Sequence, residues 1–199
     1  FKGESENGHR IKGKSIFKDG SYYDGDYECD KPHGKGMRKY ANGNVYTGDF
    51  KQGLRHGHGK LTYSNGSFYE GGWTNDRNHG RGKLTWRNGD TYDGDWMEDN
   101  RTGKGEYIWP SGAKYIGDFL NGNMTGQGKM IYADGRVYEG GWKDDKKHGS
   151  GTLTFKNGGS FTGLWENGRV HGLGRFETAT GDVIEEEFVL EPRDGEASY

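Results

Sequence analysis

The sequence has very little of several features on which other proteins depend. Its single cysteine, Cys29, excludes an intrachain disulfide framework and indicates a reducing compartment. No apolar run is long enough for a membrane-spanning helix, and no signal peptide is visible. The formal net charge is only -2, whereas nucleic-acid binding by stacked aromatic rings requires a strongly basic surface. The composition therefore predicts a protein without disulfides, membrane helices or a nucleic-acid partner.

The aliphatic residues Leu, Ile and Val are also scarce. Together with Phe they make only 28 of 199 residues. This share is low enough to suggest disorder. However, 14% of the residues are aromatic and the net charge is close to zero, and neither property is typical of disordered chains. The aromatic residues recur periodically: the segment Tyr69-Glu70-Gly71-Gly72-Trp73 has its counterpart 23 residues later, beginning at Tyr92. A fixed period of this size indicates a repeat protein.

The repeat divides the chain into eight copies and a C-terminal segment. The copies span residues 1-22, 23-45, 46-68, 69-91, 92-114, 115-137, 138-160 and 161-183. Residues 184-199 are predicted to form a capping strand and an acidic tail, because the last copy of an array has no outer neighbour. The chain begins inside a copy and without Met, so we expect it to be a piece of a longer array.

Within each copy, two stretches alternate aromatic or glycine residues with polar ones, which predicts two strands and hence a β-hairpin. Keeping Tyr63 and Tyr69 on one face requires a three-residue loop, residues 64-66, with Gly66 in the left-handed conformation. At the other end of the hairpin we predict a four-residue loop, residues 76-79. This register places Tyr69 opposite Trp86 and pairs acidic residues with lysines inside one hairpin, for example Asp49 with Lys60.

The pattern Tyr-x-Gly-x-Trp, followed by His-Gly-x-Gly and Asn/Asp-Gly, resembles the MORN repeat (membrane occupation and recognition nexus). The resemblance covers residues 1-183 and is strongest from Tyr69 to Gly82 and from Tyr138 to Gly151. It implies an all-β fold: an elongated, single-layered, twisted antiparallel β-meander, or solenoid-like rod, of 23-residue hairpins. Members of this family are non-catalytic scaffolds in cytoskeletal, ciliary, junctional or cortical assemblies, or regulatory segments of lipid kinases.

The aromatic residues of the repeat are candidates for a partner-binding groove, because a long exposed apolar strip usually marks an interaction site. We expect the groove to take an extended or helical segment of a partner protein. Its predicted lining is Tyr46, Phe50, Tyr69, Trp73, Tyr92, Trp96, Tyr115, Phe119, Tyr138 and Trp142. The alternative function is binding to anionic phospholipid or phosphoinositide membrane. The near-neutral charge and the predicted pairing of lysines with acidic residues argue against it, since attachment by charge requires clustered Lys and Arg. We expect a cytoplasmic protein associated with the cytoskeleton or the membrane cortex.

The C-terminal copies are the predicted site of self-association, because a meander leaves an unpaired strand at each end and such edges pair with other chains. The strand that starts at Ile184 is apolar on both sides and requires cover. We therefore expect an antiparallel homodimer. Its predicted interface comprises Trp165, Arg175, Ile184 and Phe188.

Other patterns that could indicate chemistry are better explained by the repeat. Residues 8-15 match the phosphate-loop pattern G-x-x-x-x-G-K-[ST], but a strand pattern and a turn follow where that motif requires a helix. Five histidines recur at one repeat position, two strands apart and hence about 10 Å from each other, too far to share one zinc ion. A zinc ion held between two chains, with Cys29 or a loop histidine as a ligand, is the alternative. We expect no cofactor and no enzymatic activity.

Overall fold

The computed structural model describes residues 1–188, which form seventeen β-strands and contain no helix. The chain divides into two compact units, Phe1–Pro110 and Ser111–Tyr199. The strands of the first unit are β1 (Lys2–Glu6), β2 (His9–Ile16), β3 (Tyr22–Glu28), β4 (Lys31–Lys39), β5 (Val45–Lys51), β6 (Leu54–Thr62), β7 (Phe68–Thr74), β8 (Arg77–Thr85), β9 (Thr91–Met97) and β10 (Asn100–Ile108). Those of the second unit are β11 (Lys114–Leu120), β12 (Asn123–Ile131), β13 (Val137–Lys143), β14 (Lys146–Thr154), β15 (Ser160–Glu166), β16 (Arg169–Glu177) and β17 (Val183–Phe188).

Each unit is a meander in which every strand pairs antiparallel with the next one along the chain. This holds for β1 to β10 in the first unit. It also holds for β11 to β17 in the second. The predicted all-β, antiparallel meander with hairpin repeats of about 23 residues is confirmed. Of the segment 184-199, predicted to form a capping strand and an acidic tail, residues 189–199 lie outside the described residues.

Within each unit, the loops that follow the even-numbered strands have the predicted three residues. In the loop after β6, the backbone N–H of Tyr63 donates to Ser67 O (2.9 Å) and that of Gly66 donates to Tyr63 O (3.0 Å). Gly66 has φ 92°, in the left-handed region that glycine enters without steric cost. Because Leu61 pairs with Tyr69, Tyr63 and Tyr69 lie on the same face of the sheet, as predicted.

The loops that follow the odd-numbered strands differ from the prediction of four residues. Thr74 pairs with Arg77, which leaves only Asn75 and Asp76 in the turn. Both have positive φ (49° and 67°), so the turn is of type I′, whose twist matches that of the strands it joins. Cys29 has the same place in its hairpin, with φ 47°. The predicted loop of residues 76-79 was therefore wrong.

A β-bulge beside each two-residue turn changes the register of the hairpin. Gly71 pairs with Gly82 and Trp73 with Asn78, so the single residue between Gly71 and Trp73 opposes three on β8. As a result Tyr69 opposes Leu84 rather than Trp86.

The bulge also separates the predicted charge pairs. Lys60 opposes Thr47, and the carboxylate of Asp49 instead accepts a hydrogen bond from the backbone N–H of His58 (2.9 Å). Lys60 forms its ion pair with Glu70 of the next copy (3.5 Å). Lysines therefore link successive copies, although exposed pairs of this kind contribute only about 0–1 kcal/mol.

Candidate functional site

One face of each meander, the aromatic face, carries two kinds of ring; the opposite face is the polar face. The inner rings occupy the first and fifth positions of the copies. In the first unit they are Tyr23, Tyr27, Tyr46, Phe50, Tyr69, Trp73, Tyr92 and Trp96, and in the second unit Tyr115, Phe119, Tyr138, Trp142, Phe161 and Trp165. All fourteen are buried, with relative exposures from 0% to 7%. The inner rings are thus the core of each unit.

Inner rings pack edge to face in an unbroken series along each unit. Tyr69, for example, contacts Trp73 of its own strand (centroids 5.1 Å apart) and Trp96 of the next copy (5.3 Å), with the ring planes nearly perpendicular. The same alternation runs from Tyr23 to Trp96 in the first unit and from Tyr115 to Trp165 in the second. This geometry brings the positive edge of one ring to the negative face of the next.

The polar atoms of the inner tyrosines and tryptophans are satisfied within the unit. The hydroxyl of Tyr69 donates to Gly72 O in the bulge (2.9 Å), and Trp73 Nε1 donates to Gly59 O of the preceding copy (3.0 Å). The hydroxyls of Tyr23, Tyr46, Tyr92, Tyr115 and Tyr138 form the equivalent bond. Trp96, Trp142 and Trp165 likewise donate to a glycine carbonyl. The inner rings therefore leave no hydrogen-bonding group for a ligand.

The ten groove residues predicted from the sequence are all inner rings. None of them is more than 6% exposed. They form the floor beneath the aromatic face, and a partner lying on that face would meet mainly the residues above them.

The outer rings are the accessible aromatic residues of this face. They stand next to the three-residue loops, one to a copy: Phe17, Tyr40, Tyr63, Trp86 and Trp109 in the first unit, and Tyr132 and Phe155 in the second. Phe17 is 42% exposed and the others are half-buried. These residues were not among the groove residues predicted from the sequence. The sequence signal that could have separated them from the inner rings is that no glycine lies opposite an outer ring.

Cations lie over several rings of the aromatic face. The guanidinium carbon of Arg38 is 5.8 Å from the centroid of Phe17 and 5.1 Å from that of Tyr40. Arg101 lies over Trp86 (5.9 Å) and over Tyr107 (5.4 Å). Such contacts stabilise an exposed cation by about 0.5–1 kcal/mol each and leave its N–H groups available to anions.

The four predicted dimer residues lie at the C-terminal end of the described chain but differ in exposure. Trp165 is an inner ring, 6% exposed, and Phe188 packs edge to face on Phe161 (5.4 Å). Arg175 forms an ion pair with Glu177 (2.7 Å), and Ile184 is 56% exposed. β17 pairs with β16, and no other described strand of the second unit pairs with it.

The residues considered for metal or phosphate chemistry serve as parts of the hairpins. Cys29 is exposed in a turn, and within residues 1–188 no cluster of three His, Cys, Asp or Glu side chains could hold a metal ion. The segment that matches the phosphate-loop pattern is the β1–β2 turn and strand β2, whose Lys14 lies over the ring of Tyr22 (3.9 Å) on the polar face.

The carboxylates whose pKa values shift are hydrogen-bond acceptors rather than candidate acids. The hydrogen bond from the backbone N–H of Arg10 lowers the pKa of Asp30, and that of Arg136 lowers the pKa of Asp134. A general acid requires the opposite shift. These two carboxylates therefore act in the structure as turn and ion-pair partners.

Burial of the inner tyrosines makes alkaline unfolding the expected pH response. Burial raises the pKa of Tyr92 and of Tyr138 to about 12, from 10.0. The unfolded chain therefore loses these protons first, and the free energy of unfolding is undiminished below pH ~10 and falls between pH ~10 and ~12. Urea unfolding should show a lower midpoint at pH 11 than at pH 8; equal midpoints would contradict the burial of neutral tyrosines.

Comparison with known proteins agrees with the repeat and the fold. A family model described as MORN repeat matches residues 23–45, 46–68, 69–91, 92–114, 115–135, 138–160 and 161–183. The comparison with curated protein sequences gives no match. Within residues 1–188 there is no helix with the length and apolarity required to span a membrane.

Two solved structures illustrate the similarity in fold. One is the Drosophila melanogaster SAS-4 (dCPAP) TCP domain in complex with a proline-rich motif of Ana2 (dSTIL). It is 12% identical, with 89% of this chain and 90% of that chain covered and a TM-score of 0.51. The other is the wild-type TCP10 domain of Danio rerio CPAP, 15% identical, with 87% and 82% covered and a TM-score of 0.50. At such identities the similarity concerns the fold alone.

Proposed function

Because the chain belongs to the MORN-repeat family, we propose that it is a non-catalytic scaffold that binds a segment of a partner protein on its aromatic face. The observation that carries this proposal is the row of outer rings, which are accessible although the inner rings already form a complete core. Half-buried Trp and Tyr side chains supply large contact area at a small cost in conformational entropy, and they are enriched in protein interfaces.

In this proposal the ten groove residues predicted from the sequence act from below. They hold the strands of each unit together beneath the outer rings, and they exclude water beneath a bound segment. The proposal is supported by the Drosophila SAS-4 domain, a protein of similar fold in complex with a peptide motif of another protein. An assembly at the cytoskeleton or the membrane cortex is the setting that we propose for this scaffold.

Photo-crosslinking tests the proposed surface in the full chain. A photoreactive phenylalanine derivative at Tyr63, on the aromatic face, is expected to give a discrete protein adduct in cells. The same derivative at Lys83, on the polar face, is the control. A second substitution, Trp86→Ala, should reduce the Tyr63 adduct if the partner lies along the outer rings. Adducts that form only from Lys83, or that persist unchanged with Trp86→Ala, would place the partner elsewhere.

A homodimer through the C-terminal copies is the second part of the proposal. The free edge of β17 and the exposed side chain of Ile184 favour it, while the charges of Glu185, Glu186 and Glu187 oppose it. In this arrangement Arg175 supplies positive charge near the two-fold axis, and Trp165 and Phe188 stiffen the edge from within.

Truncation separates this dimer from other modes of association. Removing the chain after Gly181 deletes β17 and is expected to give a monomer, because the proposed edge is lost. Removing residues 1–22 should leave the dimer intact. Light scattering on the parent and both truncated chains checks the mass. A monomeric parent chain, or a dimer that survives the loss of β17, contradicts the proposal.

Membrane binding is the alternative function. The net charge of -2 and the pairing of polar-face lysines with carboxylates, as in Lys35–Asp49 (2.6 Å), do not favour it, since attachment by charge requires clustered unpaired cations. Sedimentation with neutral and anionic liposomes distinguishes the two functions. Binding that depends on anionic lipid would support the membrane alternative.

A further inference from the structure

The outer rings of the first unit stand apart from one another. Phe17, Tyr40, Tyr63 and Trp86 make no ring contacts among themselves, although the first unit is described throughout. At the far end Tyr107 fills the space, with its centroid 5.6 Å from that of Trp86 and 4.6 Å from that of Trp109. Arg38, Leu61 and Leu84 hold the equivalent position in the other copies, so the three clefts between these neighbouring outer rings contain no further ring.

The polar atoms of these rings lack internal partners, in contrast to those of the inner rings. Within the first unit, the hydroxyls of Tyr40 and Tyr63 and Nε1 of Trp86 form no hydrogen bond to the protein. Burial nevertheless raises the pKa of both tyrosines, which shows that their hydroxyls are partly withdrawn from water. A row of partly desolvated donors is suited to a ligand that offers acceptors only.

The spacing of the row fits one backbone conformation. Outer rings of successive copies lie two strands apart, which is about 9.6 Å. A polyproline II helix rises about 3.1 Å per residue with three residues per turn, so every third residue returns to the same side after about 9.3 Å. A helix of this kind lying across the strands would present one ring or side chain to each cleft. Its carbonyl groups are all free to accept hydrogen bonds, because the helix has none of its own.

The charge of Arg38 places a second requirement on the ligand. Arg38, between Phe17 and Tyr40, forms no ion pair, and its buried Nε has no hydrogen-bond partner. The nearby carboxylate of Asp19 is engaged with the backbone N–H and the hydroxyl of Ser21 (2.9 and 2.6 Å). A carboxylate on the ligand would complement Arg38 at this end of the row.

We propose that the outer row of the first unit, from Phe17 to Trp86, binds a proline-rich segment of a partner protein in the polyproline II conformation. The segment spans about ten residues, three turns of the helix, and carries an acidic residue that lies against Arg38. This inference rests on the proposed function and specifies the chemistry of the partner. The prolines fill the clefts, and the ring donors of Tyr40, Tyr63 and Trp86 bind the segment's carbonyl groups.

The test uses the full chain and a fluorescein-labelled peptide with one glutamate followed by about nine prolines. Its control is a peptide of the same length and charge in which glycine and serine replace the prolines. Fluorescence anisotropy should show saturable binding of the proline peptide, at least about tenfold tighter than binding of the control, because the polyproline helix is already ordered. Equal affinity for the two peptides, or no saturable binding of either, overturns the inference.

Conservative variants assign the contacts without disturbing the fold. Tyr40→Phe and Tyr63→Phe keep the ring and remove only the hydroxyl donor, and each should weaken binding about fivefold. Arg38→Gln should weaken binding of the glutamate peptide, but not of the same peptide with glutamine in its place. Tyr22→Phe removes a hydroxyl from a half-buried ring on the polar face and is the matched control. Losses as large with Tyr22→Phe, or none with the three variants, would contradict the assignment.

The outcome is separate from that of the crosslinking experiment. A partner adduct at Tyr63 together with no preference for the proline peptide would reject the polyproline ligand and leave the scaffold function standing. Loss of both signals would reject both.

Discussion

Replacing Gly82 with alanine is expected to destabilise the first unit by about 3 kcal/mol or more, the upper range for overpacking a well-packed site. A Cβ at this position would overlap the hydroxyl of Tyr69, whose ring lies flat against the glycine backbone. The ring would have to leave its place. It would then lose the hydrogen bond to Gly72 O and its edge contacts with Trp73 and Trp96.

The control is Gly159→Ala, at another buried glycine, which directly precedes strand β15. Neither glycine has a left-handed φ, but the nearest atom to a Cβ at Gly159 is Glu177 O at 3.2 Å, which requires only a small shift. Equilibrium urea unfolding, followed by tryptophan fluorescence, gives both changes in free energy. Similar values for the two variants would mean that the ring does not depend on bare backbone.

Trp73→Ala is expected to cost about 3–5 kcal/mol, as for other buried aromatic truncations. Trp73 is 3% exposed, contacts Tyr46 and Tyr69 edge to face, donates Nε1 to Gly59 O, and lies under the guanidinium of Arg55 (4.2 Å). All these partners belong to its own copy or the preceding one. The damage should therefore remain local, as in other repeat arrays.

Hydrogen exchange measures this locality. Amides of β5 to β8 should lose protection in Trp73→Ala, while those of the second unit keep it; Trp142→Ala in the second unit should show the reverse. Trp86→Ala is the control, since its half-buried outer ring has no hydrogen bond to lose and its replacement should cost about 1 kcal/mol. Uniform loss of protection along the chain would indicate a single cooperative core instead.

Sequence reasoning predicted the fold and one of its two loops because the alternation of side chains is a strict constraint. Tyr63 and Tyr69 can share a face only across an odd loop, and Gly66 supplies the left-handed residue that such a loop requires. The repeat period and the aromatic positions followed from the order of the residues in the sequence. None of these inferences required knowledge of long-range contacts.

The loop after the odd-numbered strands was mispredicted because the residues of its turn vary among the copies. A two-residue type I′ turn favours Asn-Gly, as at Asn7-Gly8, but Cys29 and Glu98 at the first position of other copies conceal the rule. The bulge beside it depends on Gly80 and on how one strand accommodates extra residues, which alternation cannot reveal.

The difference in burial between the inner and outer rings was also not predicted from the sequence. Aromatic residues at two repeat positions look equivalent in sequence, yet Tyr69 is fully buried and Tyr63 is half-exposed. Glycine distinguishes them: the inner ring lies over Gly71 and Gly82, and the outer ring has no glycine beneath it. Burial thus depends on what the ring covers, which becomes visible only when the register is known.

The indole bonds also give the array a direction and a unit of growth. Each inner tryptophan, such as Trp73, donates to a carbonyl of the copy before it, and every copy that has such a follower supplies the acceptor that the follower requires. The donor to the preceding copy and the acceptor for the following copy are thus part of the same 23-residue segment. A duplicated segment would therefore form the same hydrogen bonds with both of its neighbours. Unequal crossing-over could lengthen or shorten such a chain by whole copies without any compensating substitution.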